Sequence, residues 1–251
     1  MTAPVTLPRL EWGDAAASRR ALLVHGLGST GALMWRFGAA LSEDGWHATA
    51  VDLRGHGRAP RALEYTIASY AGDLRATRAD GGSWDLVLGH SLGGAAAAIA
   101  AAADPSWARR LVLADPAIVL SDRARRGVGR AQAAAFADPS LASVRAQHPH
   151  WHETDLELKT EAARLTSPWA VEQTLAQNDP WDVTEAVLAL SVPVHVLAAD
   201  PDVDSVITGE LAARMLNGNE RISMSVVAGA GHSIHRDRPE ETMRMLRQVV
   251  G

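Results

Sequence analysis

The sequence contains no cysteine, and this absence removes three kinds of site at once. Disulfide bonds, thiolate metal centres and a cysteine nucleophile are all excluded. A surplus of basic residues is also missing: 24 Lys and Arg stand against 29 Asp and Glu, which gives a net charge of −5. No nucleic-acid partner is therefore expected.

Long hydrophobic segments are missing as well. The longest near-uniform apolar run, Leu92 to Ala103, is too short to span a bilayer. Residues 1–14 do not show the basic start and apolar core of a signal peptide. We therefore expect a cytoplasmic protein with no membrane partner. At 251 residues, 47% of them hydrophobic, the chain is long enough for a large α/β domain with a sizeable core.

The most informative segment is Gly89-His-Ser-Leu-Gly93. An apolar run of strand length, Leu86 to Leu88, leads into it, and an alanine-rich stretch that favours helix, Ala95 to Ala103, follows it. This context predicts a nucleophile elbow, in which a tight turn presents Ser91 above the edge of a sheet. The two outer glycines are expected because a Cβ at either position would collide with the neighbouring turn or helix.

Strand and helix patterns alternate through most of the chain, which predicts a parallel sheet with right-handed crossovers. The predicted strands are residues 20–24, 47–51, 86–88, 110–114, 192–198 and 221–227. From residue 121 to about 177 the strand pattern stops and four helices are predicted instead. We therefore expect a core made of residues 1–120 and 181–251, and a helical cap at residues 121–180.

A serine hydroxyl needs a base within hydrogen-bond reach. Among ten histidines, His232 is the best candidate, because it follows the last predicted strand in a glycine-rich loop that can reach the sheet edge. His25 is expected to orient the turn that contains it, and His56 and His90 are expected to be structural. His235 is expected to lie behind the site or at the surface.

Four motifs together resemble the α/β-hydrolase superfamily: His25-Gly-Leu-Gly28, Asp52-Leu-Arg-Gly-His-Gly57, Gly89-His-Ser-Leu-Gly93 and Gly231-His232. The resemblance covers essentially the whole chain. It implies the α/β-hydrolase fold, a mostly parallel doubly wound sheet with a helical cap inserted after the sixth strand.

The same resemblance implies roles for individual residues. Ser91 would be the nucleophile and His232 the general base and acid. The backbone N–H groups of Leu92, after the nucleophile, and of Leu27, after His25-Gly26, would bind the oxyanion.

The resemblance also implies a catalytic triad of serine, histidine and an acid, and the sequence leaves the identity of the acid open. In relatives that have Ala-Asp-Pro at the end of the strand corresponding to residues 192–198, the acid is the aspartate before the proline, which favours Asp200. The spacing to His232 that is commonest among relatives favours Asp204. Asp115 is a competitor, because some members take the acid from the preceding strand, and counting forward from the strand gives Asp202. Asp200 and then Asp204 are the predicted acids.

The predicted substrate is small and apolar. Trp151 in the predicted cap is a candidate wall of an apolar substrate pocket, and no arginine pair is set aside for an anionic group. His148, His150 and His152 have no carboxylate in a matching frame, so no metal is expected, and no cofactor is expected either. The protein is expected to be a monomer or a homodimer.

These features predict a serine hydrolase of the carboxylesterase or lactonase type. Its expected substrate is an apolar or aromatic carboxylic ester or lactone, cleaved through an acyl-enzyme. The alternatives are other reactions on the same triad, namely hydrolysis of a C–C bond, an amide or a lactam, or perhydrolysis. A ligand-binding receptor of hydrolase ancestry is a further alternative, because fold and triad do not separate these functions.

Overall fold

The computed structural model of the protein describes residues 3–80 and 82–251; Met1, Thr2 and Gly81 of the predicted core lie outside the described residues. Seven strands form one sheet in the order β1-β3-β2-β4-β5-β8-β9, and β6 pairs with β7 in a separate ribbon. The strands are β1 (Arg9–Trp12), β2 (Arg19–Val24), β3 (Trp46–Val51), β4 (Leu86–His90), β5 (Leu111–Ala114), β6 (Val119–Leu120), β7 (Trp181–Asp182), β8 (Val194–Ala198) and β9 (Ile222–Val226).

Only β1 runs antiparallel to its neighbour in the main sheet, and every other neighbouring pair is parallel. The predicted α/β-hydrolase fold, with a mostly parallel doubly wound sheet, is therefore confirmed. The helices are α1 (Trp35–Glu43), α2 (Ile67–Ala76), α3 (Leu92–Ala103), α4 (Asp122–Ala137), α5 (Leu141–Gln147), α6 (Glu153–Leu165), α7 (Pro168–Gln177), α8 (Thr184–Leu188), α9 (Gly209–Gly218), α10 (Ile234–Asp237) and α11 (Pro239–Val250).

The central strands are buried on both faces, as expected for a parallel sheet covered by helices. All six residues of β3 and all five of β4 are buried. Side chains from α1 and α11 form one core cluster, and side chains from α2, α3 and α9 form the other. Alanines dominate α3, which lets this helix lie close to the sheet beneath Ser91.

Four helices, α4 to α7, lie between the short strands β6 and β7, whose antiparallel pairing brackets residues 121–180. The side chains of Ser121, Ser140 and Ser167 begin three of these helices by accepting hydrogen bonds from backbone N–H groups of the first turn. This four-helix segment contains the predicted cap. None of the described helices is long and apolar enough to cross a membrane.

Polar contacts attach the four-helix segment to the core. Asp155 of α6 is fully buried and accepts hydrogen bonds from Trp35 Nε1 at 2.8 Å and from both Nε and a terminal nitrogen of Arg36. Tyr70 of α2 and Thr174 of α7 share a buried hydroxyl–hydroxyl hydrogen bond of 2.6 Å. Charged and buried contacts of this kind hold α6 and α7 in a defined position over the carboxyl ends of the strands.

Candidate active site

Ser91 occupies the tight turn between β4 and α3. Its backbone has φ 53° and ψ −119°, a conformation that a residue with a side chain rarely adopts. The turn is closed on both sides, because a Cβ on Gly89 would lie 2.6 Å from the carbonyl oxygen of Gly93, and one on Gly93 would lie 2.4 Å from that of Val24. The close approach that the sequence pattern predicts at these glycines is present.

A continuous chain of hydrogen bonds leads from Ser91 into the protein. Ser91 Oγ lies 3.0 Å from His232 Nε2, and His232 Nδ1 lies 2.7 Å from Asp115 Oδ2. Since a carboxylate only accepts, the proton of the neutral imidazole sits on Nδ1, and the Nε2 lone pair faces the serine hydroxyl. This is the arrangement in which a histidine can remove the hydroxyl proton.

Asp115 is fully buried at the end of β5. Besides His232, its carboxylate accepts hydrogen bonds from the Ala199 N–H at 3.0 Å, the Ser205 hydroxyl at 2.8 Å and the Val206 N–H at 3.2 Å. These donors compensate for the loss of solvent around a buried negative charge. They also hold the carboxylate in one orientation toward the imidazole.

The structure corrects the predicted acids, because neither Asp200 nor Asp204 is hydrogen-bonded to His232. Asp200 closes the turn after β8, where its carboxylate accepts from the N–H groups of Gly229 at 2.7 Å and Asp202 at 3.0 Å. The bond from Gly229, followed by that from Asp202, lowers the pKa of this carboxyl group. Asp204 and Asp202 are exposed on the same turn.

Two backbone N–H groups are available beside Ser91. Leu92 is the first residue of α3, where an N–H has no acceptor within its own helix. Leu27 follows Gly26, and a Cβ on Gly26 would lie 2.9 Å from the Cβ of Ser91, so this turn passes directly over the serine. Within the described ranges, neither N–H donates to another protein group. Both N–H groups therefore remain available, and their role as oxyanion donors stays a prediction.

Buried histidines fix the loops around the serine. His25 Nδ1 donates to the Gly26 carbonyl at 2.7 Å, and its Nε2 accepts from the Leu53 N–H at 3.0 Å. It thereby connects the turn over Ser91 to the loop after β3. His90 Nε2 lies 2.9 Å from the carbonyl oxygen of His232, so the residue before the nucleophile holds the loop that carries the histidine.

His25 and His56 are fully buried, and burial lowers the pKa of His25 to about 4 and that of His56 to about 3. In the unfolded chain each imidazole titrates near pH 6.5. Below that pH the unfolded chain takes up protons that the folded protein does not bind, so the free energy of unfolding decreases as the pH falls from about 6.5 to about 4. For His25 alone the difference amounts to about 3 kcal/mol.

Urea unfolding at pH 7.5 and at pH 5 measures this effect, and we expect the lower free energy of unfolding at pH 5. A His56→Asn variant is the matched control. Its amide can still donate to the Arg54 carbonyl that His56 Nδ1 contacts at 2.9 Å, but it does not titrate, so its pH dependence should be flatter. Equal free energies of unfolding at the two pH values would contradict the neutral buried state of these histidines.

Side chains that the sequence reasoning missed reach the site from the four-helix segment. Gln132 of α4 donates to the Leu27 carbonyl at 3.4 Å, and Lys159 of α6 donates to the Gly28 carbonyl at 2.9 Å. Nothing in the local sequence pattern marks either residue, because helices α4 and α6 meet the turn that contains Leu27 and Gly28 only in the tertiary fold.

Trp151, the candidate wall of a substrate pocket, is largely covered by its neighbours. It is only 8% exposed, its ring stacks on His148 with centroids 3.7 Å apart, and its Nε1 donates to Asp237 at 2.7 Å. The guanidinium of Arg236 lies 5.0 Å from the same ring. Trp151 therefore packs against neighbouring side chains, and its contact with substrate stays a prediction. Among the described residues, no cluster of His, Asp or Glu is arranged to hold a metal ion.

Comparison with known proteins agrees with this fold. The model of the alpha/beta hydrolase family matches residues 21–245. Lipase LipV of Mycobacterium tuberculosis is 36% identical over 139 residues, which are 54% of this chain and 52% of that protein. This chain therefore matches about half the length of that curated relative.

Two solved structures resemble the whole chain. The N-formylmaleamic acid deformylase from Pseudomonas putida superposes with a TM-score of 0.79 at 22% identity, covering 95% of this chain and 94% of the other. An esterase from Exiguobacterium antarcticum superposes with a TM-score of 0.78 at 16% identity, covering 100% and 99%. At these identities the likeness supports the fold alone.

Proposed function

Because this chain belongs to the alpha/beta hydrolase family, we propose that it is a serine hydrolase that cleaves a carboxylic ester or lactone through an acyl-enzyme. The observation that carries this proposal is the hydrogen-bonded chain from Ser91 Oγ through His232 to Asp115. The three residues follow one another in the order serine, acid, histidine that is typical of this fold. Asp115 is the acid that we propose in place of Asp200 or Asp204.

In the first half of the reaction, His232 Nε2 takes the hydroxyl proton while Ser91 Oγ attacks the carbonyl carbon of the ester. The carbonyl oxygen becomes an oxyanion and accepts hydrogen bonds from the N–H groups of Leu27 and Leu92. The imidazolium is stabilised by Asp115 and then gives its proton to the departing alkoxide, which leaves as an alcohol. The products of this half are the acyl-serine and the free alcohol.

In the second half, water takes the position of the alcohol. His232 removes a proton from the water as its oxygen attacks the acyl carbon, and a second oxyanion forms at the same two N–H groups. When this intermediate collapses, the proton returns to Ser91 Oγ and the carboxylic acid is released. The reaction needs no cofactor, since every proton transfer uses the imidazole.

The site has what acyl transfer requires, a strained serine whose hydroxyl contacts a histidine that is oriented by a buried carboxylate. A receptor of hydrolase ancestry can keep the same residues, so turnover of an ester is the observation that separates the two functions. The lipase relative favours an ester among the substrates that this fold accepts. Leu27 is partly exposed beside Ser91, which supports an apolar or aromatic portion next to the scissile bond.

Pre-steady-state hydrolysis of 4-nitrophenyl acetate and butyrate tests this proposal. If the acyl-enzyme forms faster than it is hydrolysed, a burst of about one equivalent of nitrophenolate per protein chain precedes the steady rate. Mass spectrometry of the acid-quenched protein should then place the acyl group on the peptide that contains Ser91. Folded protein that releases no nitrophenolate and gains no acyl group from any ester would overturn the proposal.

A further inference from the structure

Lys159 is the only lysine in the sequence; the other 23 of its 24 Lys and Arg residues are arginines. It projects from α6 and is partly buried, with its Nζ donating to the Gly28 carbonyl at 2.9 Å. Gly28 belongs to the turn that lies over Ser91. Within the described residues no carboxylate forms an ion pair with Lys159, so its charge has only a neutral partner.

Arg236 of α10 is a second cation, close enough to Lys159 for the two charges to repel each other. It is 5% exposed, and its Nε is buried without a hydrogen-bond partner. Its described hydrogen bond runs from a terminal nitrogen to the Ser233 hydroxyl at 3.2 Å, and Ser233 is the residue after His232. The guanidinium lies against the ring of Trp151, which positions the side chain without neutralising it.

The buried Arg54 and the partly buried Arg36 are each paired with a carboxylate. Arg54, 1% exposed, forms two hydrogen bonds of 2.6 Å to Asp73, and Arg36 binds Asp155 through two nitrogens. Such pairing is expected, because an unpaired buried charge is costly. Arg236 and Lys159 depart from this pattern at one place in the fold.

The acidic residues near Arg236 are already engaged. Asp155 and Asp237 are close enough to attract its charge. However, Asp155 is bound by Arg36 and Trp35, and Asp237 accepts from Trp151 Nε1. Counting Arg36, Arg236 and Lys159 against these two aspartates leaves one positive charge in excess. No local sequence pattern marks this cluster, because its members come from α1, α6 and α10.

We propose that Lys159 and Arg236 bind a carboxylate on the substrate, so that the preferred substrate is an ester that also carries a free carboxylate group. This proposal rests on the proposed function of Ser91 and specifies its substrate class. Lys159 lies against the turn that carries Leu27, and Arg236 lies against the residue that follows His232. A carboxylate held by the two cations would therefore fix the substrate relative to Ser91.

The protonation of Lys159 supports this assignment. Burial, reinforced by repulsion from Arg236, lowers the pKa of Lys159 to about 8. The groups that face it are Arg236 from α10, His148 from the loop between α5 and α6, and His25 and His56 from the core loops. Burial lowers the pKa of His148 to about 4, so these histidines are neutral near pH 7 and do not compete for the carboxylate.

Kinetics on a matched pair of esters tests the proposal. The charged substrate is 4-nitrophenyl hydrogen adipate, and the neutral one is its methyl ester; spontaneous hydrolysis of each is subtracted. We expect kcat/KM for the charged ester to exceed that for the neutral ester by about tenfold or more, as charge-assisted hydrogen bonds allow. The ratio of the two values should decrease above pH 8 as Lys159 loses its proton, while any effect of pH that is common to both substrates cancels in the ratio.

Substitutions of Lys159 and Arg236 test whether these two cations cause the preference for the charged ester. In Lys159→Met and in Arg236→Met the ratio should fall toward one, whereas Lys159→Arg should retain it and lose its decrease above pH 8. Arg164→Met removes a charge from the exposed side of the same helix and should keep the wild-type ratio. A ratio near one in the wild type, or an unchanged ratio in both methionine variants, would overturn the proposal.

Binding without turnover separates this proposal from the proposed function. Reductive methylation with ¹³C-formaldehyde labels Lys159 and the N-terminal amine, and the Lys159→Arg protein identifies the Lys159 signal by its absence. In Ser91→Ala protein, monomethyl adipate should shift this signal and raise the pKa of Lys159, and dimethyl adipate should not. If monomethyl adipate shifts the Lys159 signal but the wild-type protein hydrolyses neither nitrophenyl ester, the carboxylate site is supported and the serine hydrolase is not. Hydrolysis of the neutral ester with no shift would overturn the carboxylate site alone.

Discussion

Replacing Ser91 with alanine is expected to lower kcat for 4-nitrophenyl butyrate by about 10⁴- to 10⁶-fold, and replacing His232 with alanine should have an effect of the same size. The two losses should not add in the double variant, because the hydroxyl and the imidazole act as one unit across their 3.0 Å hydrogen bond. Steady-state kinetics of the two single variants and the double variant measures this.

The folded state should survive these substitutions. Ser91→Ala removes one hydroxyl group and leaves the tight turn between Gly89 and Gly93 intact, so far-UV circular dichroism and the urea midpoint should match the wild type. Ser106→Ala is a matched control that removes a hydroxyl from a surface loop. A Ser91→Ala protein that keeps more than about a tenth of wild-type kcat would show that another group is the nucleophile.

The second large effect is expected for Asp115→Asn, which should lower kcat by about 10³- to 10⁴-fold. The Ala199 N–H and the Ser205 hydroxyl both donate to Asp115 Oδ1, so the amide oxygen of an asparagine should take that position. Its NH₂ group then faces His232 Nδ1 and forces that nitrogen to accept. The imidazole proton moves to Nε2, where it removes the lone pair that Ser91 requires.

Asp200→Asn and Asp204→Asn are the matched controls for this prediction. Each also removes one negative charge after β8, but neither side chain is hydrogen-bonded to His232, and their kcat values should stay within a few-fold of the wild type. The free energy of unfolding of each variant, from urea titration, separates lost activity from lost structure. A collapse of kcat in Asp200→Asn with a mild effect of Asp115→Asn would reverse the assignment of the acid.

Local sequence was sufficient for the elbow and for the order of the elements. An apolar strand, two glycines and an alanine-rich helix specify a tight turn by sterics that act within about a dozen residues, and the structure places Ser91 in that turn. Helices α5, α7 and α11 begin directly after a serine cap or at a proline, and such starts can be predicted from the sequence alone. Short elements such as β1, β6 and α10 were missed, because a few residues carry too little periodicity.

The sequence by itself therefore determined the family and the sheet, and it marked Ser91 and His232 as candidates. Each of these conclusions depends on short motifs that can be recognised one segment at a time. It did not determine which aspartate meets the histidine. Asp115 and Asp200 both follow a strand, and their difference arises from packing: one carboxylate is buried beneath the imidazole, and the other closes its own turn. The same limit applies to Lys159 and Arg236. They lie 77 positions apart in the sequence, and only the tertiary structure brings the two cations near each other.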